Sequence, residues 1–448
     1  MPPTLTPADA LAAWPADAPL AALWASGPAT PALLAAPTES HAAADPDDAL
    51  ALLAALAPRL APDPHAESHA APFAPGWVVR VSYDLGRALE PAAAGRHRAP
   101  DDRRLPLVEL HRCEGAHLYD RAATRWHTAG DTRTLPDPRA LAAAPRPFDA
   151  ADPFADLDPA PYTAAVARAL DYIRAGDVYQ VNLAHRASAP FAGSARALFA
   201  ALAAAADPHF GVYTEHTAGA RRHAICSASP ELFLRYDPAT RRLTTRPMKG
   251  TRPLTSPERD LRDAEKDRAE LNMITDLMRN DLGRLADLGS VRVERPRDIE
   301  PHGRSVLQAT STVTATLRAG ATLADVLAAT FPPGSVTGAP KIRAMQLIDE
   351  LEPFARGPYC GVAGYLADSG AFALNVCIRT ATLSGAAAPG ARDAIAAGTL
   401  DYPIGAGVVA DSDPDAEWHE TLVKAEVLAR ALAPSSPVPD GGGVIAPR

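Results

Sequence analysis

Two hydrophobic periods organise the 448-residue chain. Alternating apolar and polar positions mark "GWVVRVSYDLG" (76–86) and "DVYQVNLAHRAS" (177–188) as strands. The runs "HAICSASPELFLRYD" (223–237) and "RRLTTRPMKG" (241–250) read as paired strands. "GPYCGVAGYLAD" and "AFALNVCIRTATL" read as two more, joined by a turn at Ser369-Gly370. Helical spacing appears in "DDALALLAALAPRL" (47–60) and in "YTAAVARALDYIRAG" (162–176), which ends on Gly176. Ser256-Pro257-Glu258 supplies an N-cap, a first-turn proline and an acid, predicting one long helix through residue 285. A last helix, "SDPDAEWHETLVKAEVLARAL", starts at Ser412 or Asp413 with Pro414 in its first turn. No internal repeat is found. The pattern predicts a mixed α/β chain with antiparallel hairpins.

Residues 136–160 are proline-rich and aperiodic, which separates an N-terminal region (1–150) from a region of stronger signals (155–432). The Pro/Gly/Ser-rich tail (435–448) reads as disordered. A net charge of −9 argues against nucleic acid or an anionic membrane as partner. Cys113, Cys226, Cys360 and Cys377 form no C-x-x-C pair, so neither a disulfide framework nor a zinc site is expected. Neither a signal peptide nor a membrane-length apolar run is read, and a cytoplasmic protein is expected.

Four groups of residues carry candidate chemistry. Lys249, between Met248 and Gly250, is either a strand-end lysine with a snorkelling stem or a pocket lysine acting as nucleophile or base. Glu270 shares a helix face with Ile274 and Leu277, so it needs a partner if buried; Arg268 or Arg279 could serve. Glu417, Glu420 and Lys424 fall on one face of the last helix, as a solvated pair or as ligands completing a Mg²⁺ shell with a substrate oxygen. "GSVTGAPK" lacks P-loop spacing, and "GAGVVA" only imitates a dinucleotide fingerprint. Both read as loops whose backbone N–H groups could approach an anion.

Together "YIRAGDVYQVNLAHR", "SASPELFL", "TRPMKGTRP", "EKDRAELNMITDLMRNDLGR", "PPGSVTGAPKIRAMQLIDELEP", "GPYCGVAGYL", "NVCIRTATL" and "GAGVVADSDPDAEWHETLVKAEVL" resemble the chorismate-utilising enzyme family over residues 155–432. The resemblance implies an anthranilate-synthase-component-I-like α/β fold, with two β-sheets face to face and helices outside. It also implies Mg²⁺ as cofactor. It casts Glu270 and Glu420 as Mg²⁺ carboxylates with Glu417 adjacent, and Arg379, Lys424 and Tyr365 as holders of the substrate carboxylates. Thr337, Gly338, Gly405 and Gly407 would belong to loops lining the pocket. Glu231 would be the general acid that protonates the departing ring hydroxyl.

Within the family, the lysine in "PMKGT" resembles that of aminodeoxychorismate synthase component I, where anthranilate synthases carry alanine. This implies that Lys249 adds to ring carbon 2 before ammonia adds at carbon 4, giving 4-amino-4-deoxychorismate for 4-aminobenzoate and folate. Gln308 stands where anthranilate synthases resemble "VMHLVS" with a histidine, which agrees. Isochorismate and salicylate synthases use a lysine near the position of Gln180 to activate water, and no lysine is there. Anthranilate synthase component I is the alternative; a non-catalytic chorismate-binding protein would have lost some of these residues. "GWVVRVSY" departs from the family's "GWIGYLSY", so no feedback site is assigned. No glutaminase segment is read, so a separate glutamine amidotransferase subunit would supply ammonia. A fused lyase after residue 435 is not expected.

Overall fold

At Pro230 the chain changes sheets. A computed structural model describes residues 5–24, 32–56, 75–95, 97–131, 133, 135–136, 146–303 and 306–433. The run 223–237, which alternates like one strand, is two: Arg221–Ser229 in one sheet and Leu232–Asp237 in the other. Proline donates no ladder hydrogen bond, so the ladder ends there. Pro230 and Glu231 bridge the gap, and both are buried.

The described residues form an 11-stranded and a 10-stranded sheet, with every pairing antiparallel. The first is built on the long pair Gln180–Ser194 and Ala394–Val408. The second carries Leu232–Asp237, Phe372–Val376 and Val362–Ala367 side by side. Strands from before residue 150 extend both: Ala21–Trp24 and Ala32–Ala35 join the first, Gly76–Val81 and Val108–Cys113 the second. Ala21, Leu33 and Val212 of one sheet pack against Val78, Cys113 and Ala363 of the other, forming the inter-sheet core. Helices Ala160–Arg174 and Pro414–Leu432 lie outside and bury Tyr162 and Trp418. The four cysteines are buried and free. Among the described residues no helix is long and apolar enough to cross a membrane. The expected disordered tail lies outside the described residues.

Two other expectations change. The long helix is broken into Glu258–Arg262 and Glu265–Gly283, with Ala264 extended (φ −68°, ψ 103°) and Pro257, not Ser256, at the first N-cap. The break lets Leu261 turn under the sheet, where it is buried with Leu271, Leu307 and Ala309. Gly405 and Gly407 lie inside the strand Ala394–Val408, not on a loop.

Arg356 joins these parts. Its guanidinium is fully buried and ion-paired to Glu352 (2.6 Å). It donates to the carbonyls of Val336 (2.8 Å) and Asn182 (2.7 Å), while Glu352 also accepts from the Ala184 N–H (2.8 Å). One cation thus ties the 334–336 turn to the strand Gln180–Ser194. Arg356→Met should strand the Glu352 carboxylate and cost about 3–5 kcal/mol, read by urea unfolding; a loss below about 1 kcal/mol would contradict this role.

Candidate active site

Lys249 is aimed by a bulge. The strand Met248–Pro253 pairs with Val306–Thr316 with Lys249 opposite Ala309, and the register slips at Gly250 (φ +79°). A Cβ there would meet Leu261 at 2.7 Å and the Asp267 carboxylate at 2.8 Å, so glycine is required. The Lys249 ammonium lies 3.8 Å from Glu270 and 3.0 Å from where a Cβ on Gly407 would stand. The Gln180 Nε2 is 2.6 Å from that same point. Gln180 is fully buried, yet among the described residues neither polar atom of its amide has a partner. Lys249 and Gln180 therefore converge over a strand glycine whose missing side chain leaves the space.

The partner of Glu270 is Lys249, not an arginine. Arg268 lies against Glu265 (3.7 Å) and Arg279 against Asp276 (2.5 Å). Burial pushes the Glu270 carboxyl up, opposed by the Lys249 and Lys266 charges. Glu231 is more deeply buried. Its N–H donates to Ser229 Oγ (3.2 Å) and its carbonyl accepts from Val376 (3.1 Å), which pins it at the sheet change. Burial pushes its carboxyl up to about 7, against the Ser335 hydrogen bond and the Lys249 charge. A carboxyl pushed up by burial and the Lys249 side chain thus face one region.

The last helix brings in the remaining acids. Asp413, not Ser412, caps it, accepting from Asp415 N and Ala416 N (3.1 and 2.9 Å). Ser412 instead donates to Glu417 Oε1 (2.6 Å). Glu417 is buried, and among the described residues its Oε2 has no partner. Lys424 pairs with Glu420 (2.8 Å) and donates to the Gly405 carbonyl (2.9 Å); its charge holds the Glu420 carboxyl below the usual range. Among the described residues no three His, Cys, Asp or Glu side chains alone form a metal cage. Mg²⁺ does not need one, because it keeps waters and takes one or two carboxylates with substrate oxygens. The orphaned Glu417 Oε2 and the partly buried Glu270 fit such a hard cation, and Glu270, Glu417 and Glu420 are the residues that would hold it.

A family profile described as chorismate binding enzyme matches residues 12–430. The chain belongs to the chorismate binding enzyme family. It is 38% identical to anthranilate synthase component 1 of Thermus thermophilus, over 81% of this chain and 78% of that one. It is 37% identical to aminodeoxychorismate synthase component 1 of Klebsiella aerogenes, over 83% and 80%. The crystal structure of anthranilate synthase component I from Streptococcus pneumoniae superposes with a TM-score of 0.65 at 26% identity, covering 93% of this chain and 91% of that one.

In this chorismate binding enzyme the other expected residues divide. Gly338 (φ +149°) presses so close to Gln180 that a Cβ would stand 2.1 Å from its carbonyl. Thr337 donates its hydroxyl to Pro333 O (3.0 Å), and its carbonyl accepts from Asn182 N (2.8 Å), so it shapes the loop. Arg379 adopts a left-handed backbone (φ +50°), and among the described residues its guanidinium has no ion pair or hydrogen bond. A cation held in a strained conformation without a partner fits an anionic ligand. The Tyr365 ring packs against the inter-sheet core, and among the described residues no hydrogen bond joins it to Lys249, Glu231 or Lys424. The phenol that reaches the site is Tyr359, whose hydroxyl is 2.9 Å from a Cβ position on Gly405. Sequence reasoning missed it; the only signal was its place one residue before Cys360, in "RGPYCG".

Because the Glu231 carboxyl rises to about 7 on folding, its contribution to stability is full below its unfolded value and is lost as pH rises through about 7. The stability of the wild type minus that of Glu231→Gln should fall by about 2–3 kcal/mol between pH ~5 and pH ~8, measured by urea unfolding. A flat difference would contradict the raised value.

Proposed function

We propose that this chain aminates chorismate with ammonia to give 4-amino-4-deoxychorismate, on the way to 4-aminobenzoate and folate. The observation that carries the reading is the Lys249 ammonium, aimed by the Gly250 bulge into the space over Gly407 beside Glu270 and Gln180. A strand-end lysine in an ordinary role would turn its charge to water; this side chain is only 13% exposed.

Lys249 is the nucleophile of the first step. Its nitrogen adds to ring carbon 2, the ring double bond shifts, and the bond from carbon 4 to its hydroxyl breaks. Glu231 gives that hydroxyl its proton, so the group leaves as water. Ammonia then adds at carbon 4, the bond from carbon 2 to Lys249 breaks, and the Glu231 carboxylate recovers a proton from the new ammonium. The sum is chorismate plus ammonia giving aminodeoxychorismate plus water. Arg379, Lys424 and the Tyr359 phenol hold the substrate carboxylates. Glu270 and Glu420, with Glu417 beside them, would hold Mg²⁺, which would supply positive charge to a substrate carboxylate that otherwise meets those acids. Ammonia comes from a glutamine amidotransferase subunit, in keeping with relatives named component 1.

Relatives named for anthranilate and for aminodeoxychorismate synthesis match about equally, at 38% and 37%, so identity does not choose between them. The product does. Purified protein with chorismate, Mg²⁺ and ammonium should form a product that an added lyase converts to 4-aminobenzoate, and Lys249→Ala should lose at least about 100-fold in rate. Anthranilate would overturn the reading; isochorismate or salicylate without ammonium would overturn amination altogether.

A further inference from the structure

The three acids of the site meet three lysines. Glu270 pairs with Lys249 (3.8 Å), Glu420 with Lys424 (2.8 Å) and Glu417 with Lys266 (3.4 Å). Lys249 is directed at the space over Gly407, and Lys424 is tied to the Gly405 carbonyl. Among the described residues Lys266 has no hydrogen bond other than the one to Glu417. It stands in the first turn of the helix Glu265–Gly283, where the helix dipole disfavours a cation, and one turn before Glu270. Its ammonium reaches Glu417 on the facing helix (3.4 Å), Glu270 lies four residues on along its own helix, and Glu420 lies three residues beyond Glu417, so one cation faces the three acids. The same acids fit Mg²⁺, and the Lys266 side chain is 47% exposed, so it can swing out without crossing packed core.

We propose that Lys266 is a built-in counter-cation of Glu270, Glu417 and Glu420 that holds the metal-free site together and is displaced when Mg²⁺ binds. This rests on the reading of those acids as the metal carboxylates. Lys266 thereby sets the metal affinity by competition: part of the attraction between Mg²⁺ and the acids goes into separating Lys266 from Glu417. Without it, the buried Glu417 beside the other two acids has no lysine of its own until a cation arrives.

Calorimetric titration with Mg²⁺ alone, and thermal unfolding with and without Mg²⁺, test this without any turnover. Lys266→Gln should bind Mg²⁺ about tenfold more tightly than wild type, the removal of roughly one competing charge interaction. Its metal-free form should melt several degrees lower, and Mg²⁺ should raise that melting temperature by more than it raises the wild type's. Lys266→Arg, which keeps the charge, should bind Mg²⁺ like wild type. Equal or weaker Mg²⁺ binding by Lys266→Gln overturns the counter-cation role while leaving the metal reading intact. No Mg²⁺ binding by wild type or by Lys266→Gln overturns the metal reading, and this inference with it.

Discussion

The buried Arg356–Glu352 pair is the interaction on which the site's geometry rests. A guanidinium out of water needs its donors satisfied, and this one spends them on three different elements: Glu352, the Val336 carbonyl of the 334–336 turn, and the Asn182 carbonyl of the strand Gln180–Ser194. Its face also stacks on Tyr83 (4.6 Å) and lies 5.8 Å from Tyr359. A second cation, Lys341, fastens the far end of the same loop to Asp281 (2.6 Å) and to the Thr330 carbonyl (2.8 Å). Between these two staples sit Ser335, which meets Glu231, and Gly338, which presses on Gln180. Fixed cations therefore set the loop, and the loop sets both the acid and the floor of the site.

Within that frame, opposite charges are balanced almost one to one. Lys249, Lys266 and Lys424 each face one of Glu270, Glu417 and Glu420. Glu231 stands outside this balance, its carboxyl pushed up by burial with only the Ser335 hydrogen bond and Lys249 to oppose it. The division suits amination of a dicarboxylate: charged groups bind and orient, one neutral acid protonates a leaving hydroxyl, and one lysine is directed at the ring.

Much of this was legible in the sequence. The capped helix carrying Glu417, Glu420 and Lys424 and the hairpin at Ser369-Gly370 follow from local period and turn chemistry, whereas 241–250, read as one strand, is two, Arg242–Arg246 and Met248–Pro253, parted at Pro247. The sheet change at Pro230 was not, because residues 223–237 keep one alternation through it and only the partner strands differ. The break before Glu265 was hidden because residues 258–285 are helix-favouring throughout, and the burial of Leu261 decides it. Glu270 was correctly seen to need a partner, but helical spacing offered only nearby arginines, whereas Lys249 comes from another strand. Tyr359 lies in a turn without period, whereas Tyr365 alternates inside the strand Val362–Ala367, and neither pattern tells which phenol comes near Gly405.

The most direct test of the account is the covalent state of Lys249 during reaction. Enzyme mixed with chorismate and Mg²⁺, without ammonium, would be quenched, digested and read by peptide mass spectrometry. The account predicts an adduct on the Lys249 peptide with the mass of the substrate less water, lost when ammonium is added before quenching and absent in Lys249→Ala. An unmodified Lys249 peptide, together with full aminodeoxychorismate formation by Lys249→Ala, would contradict it.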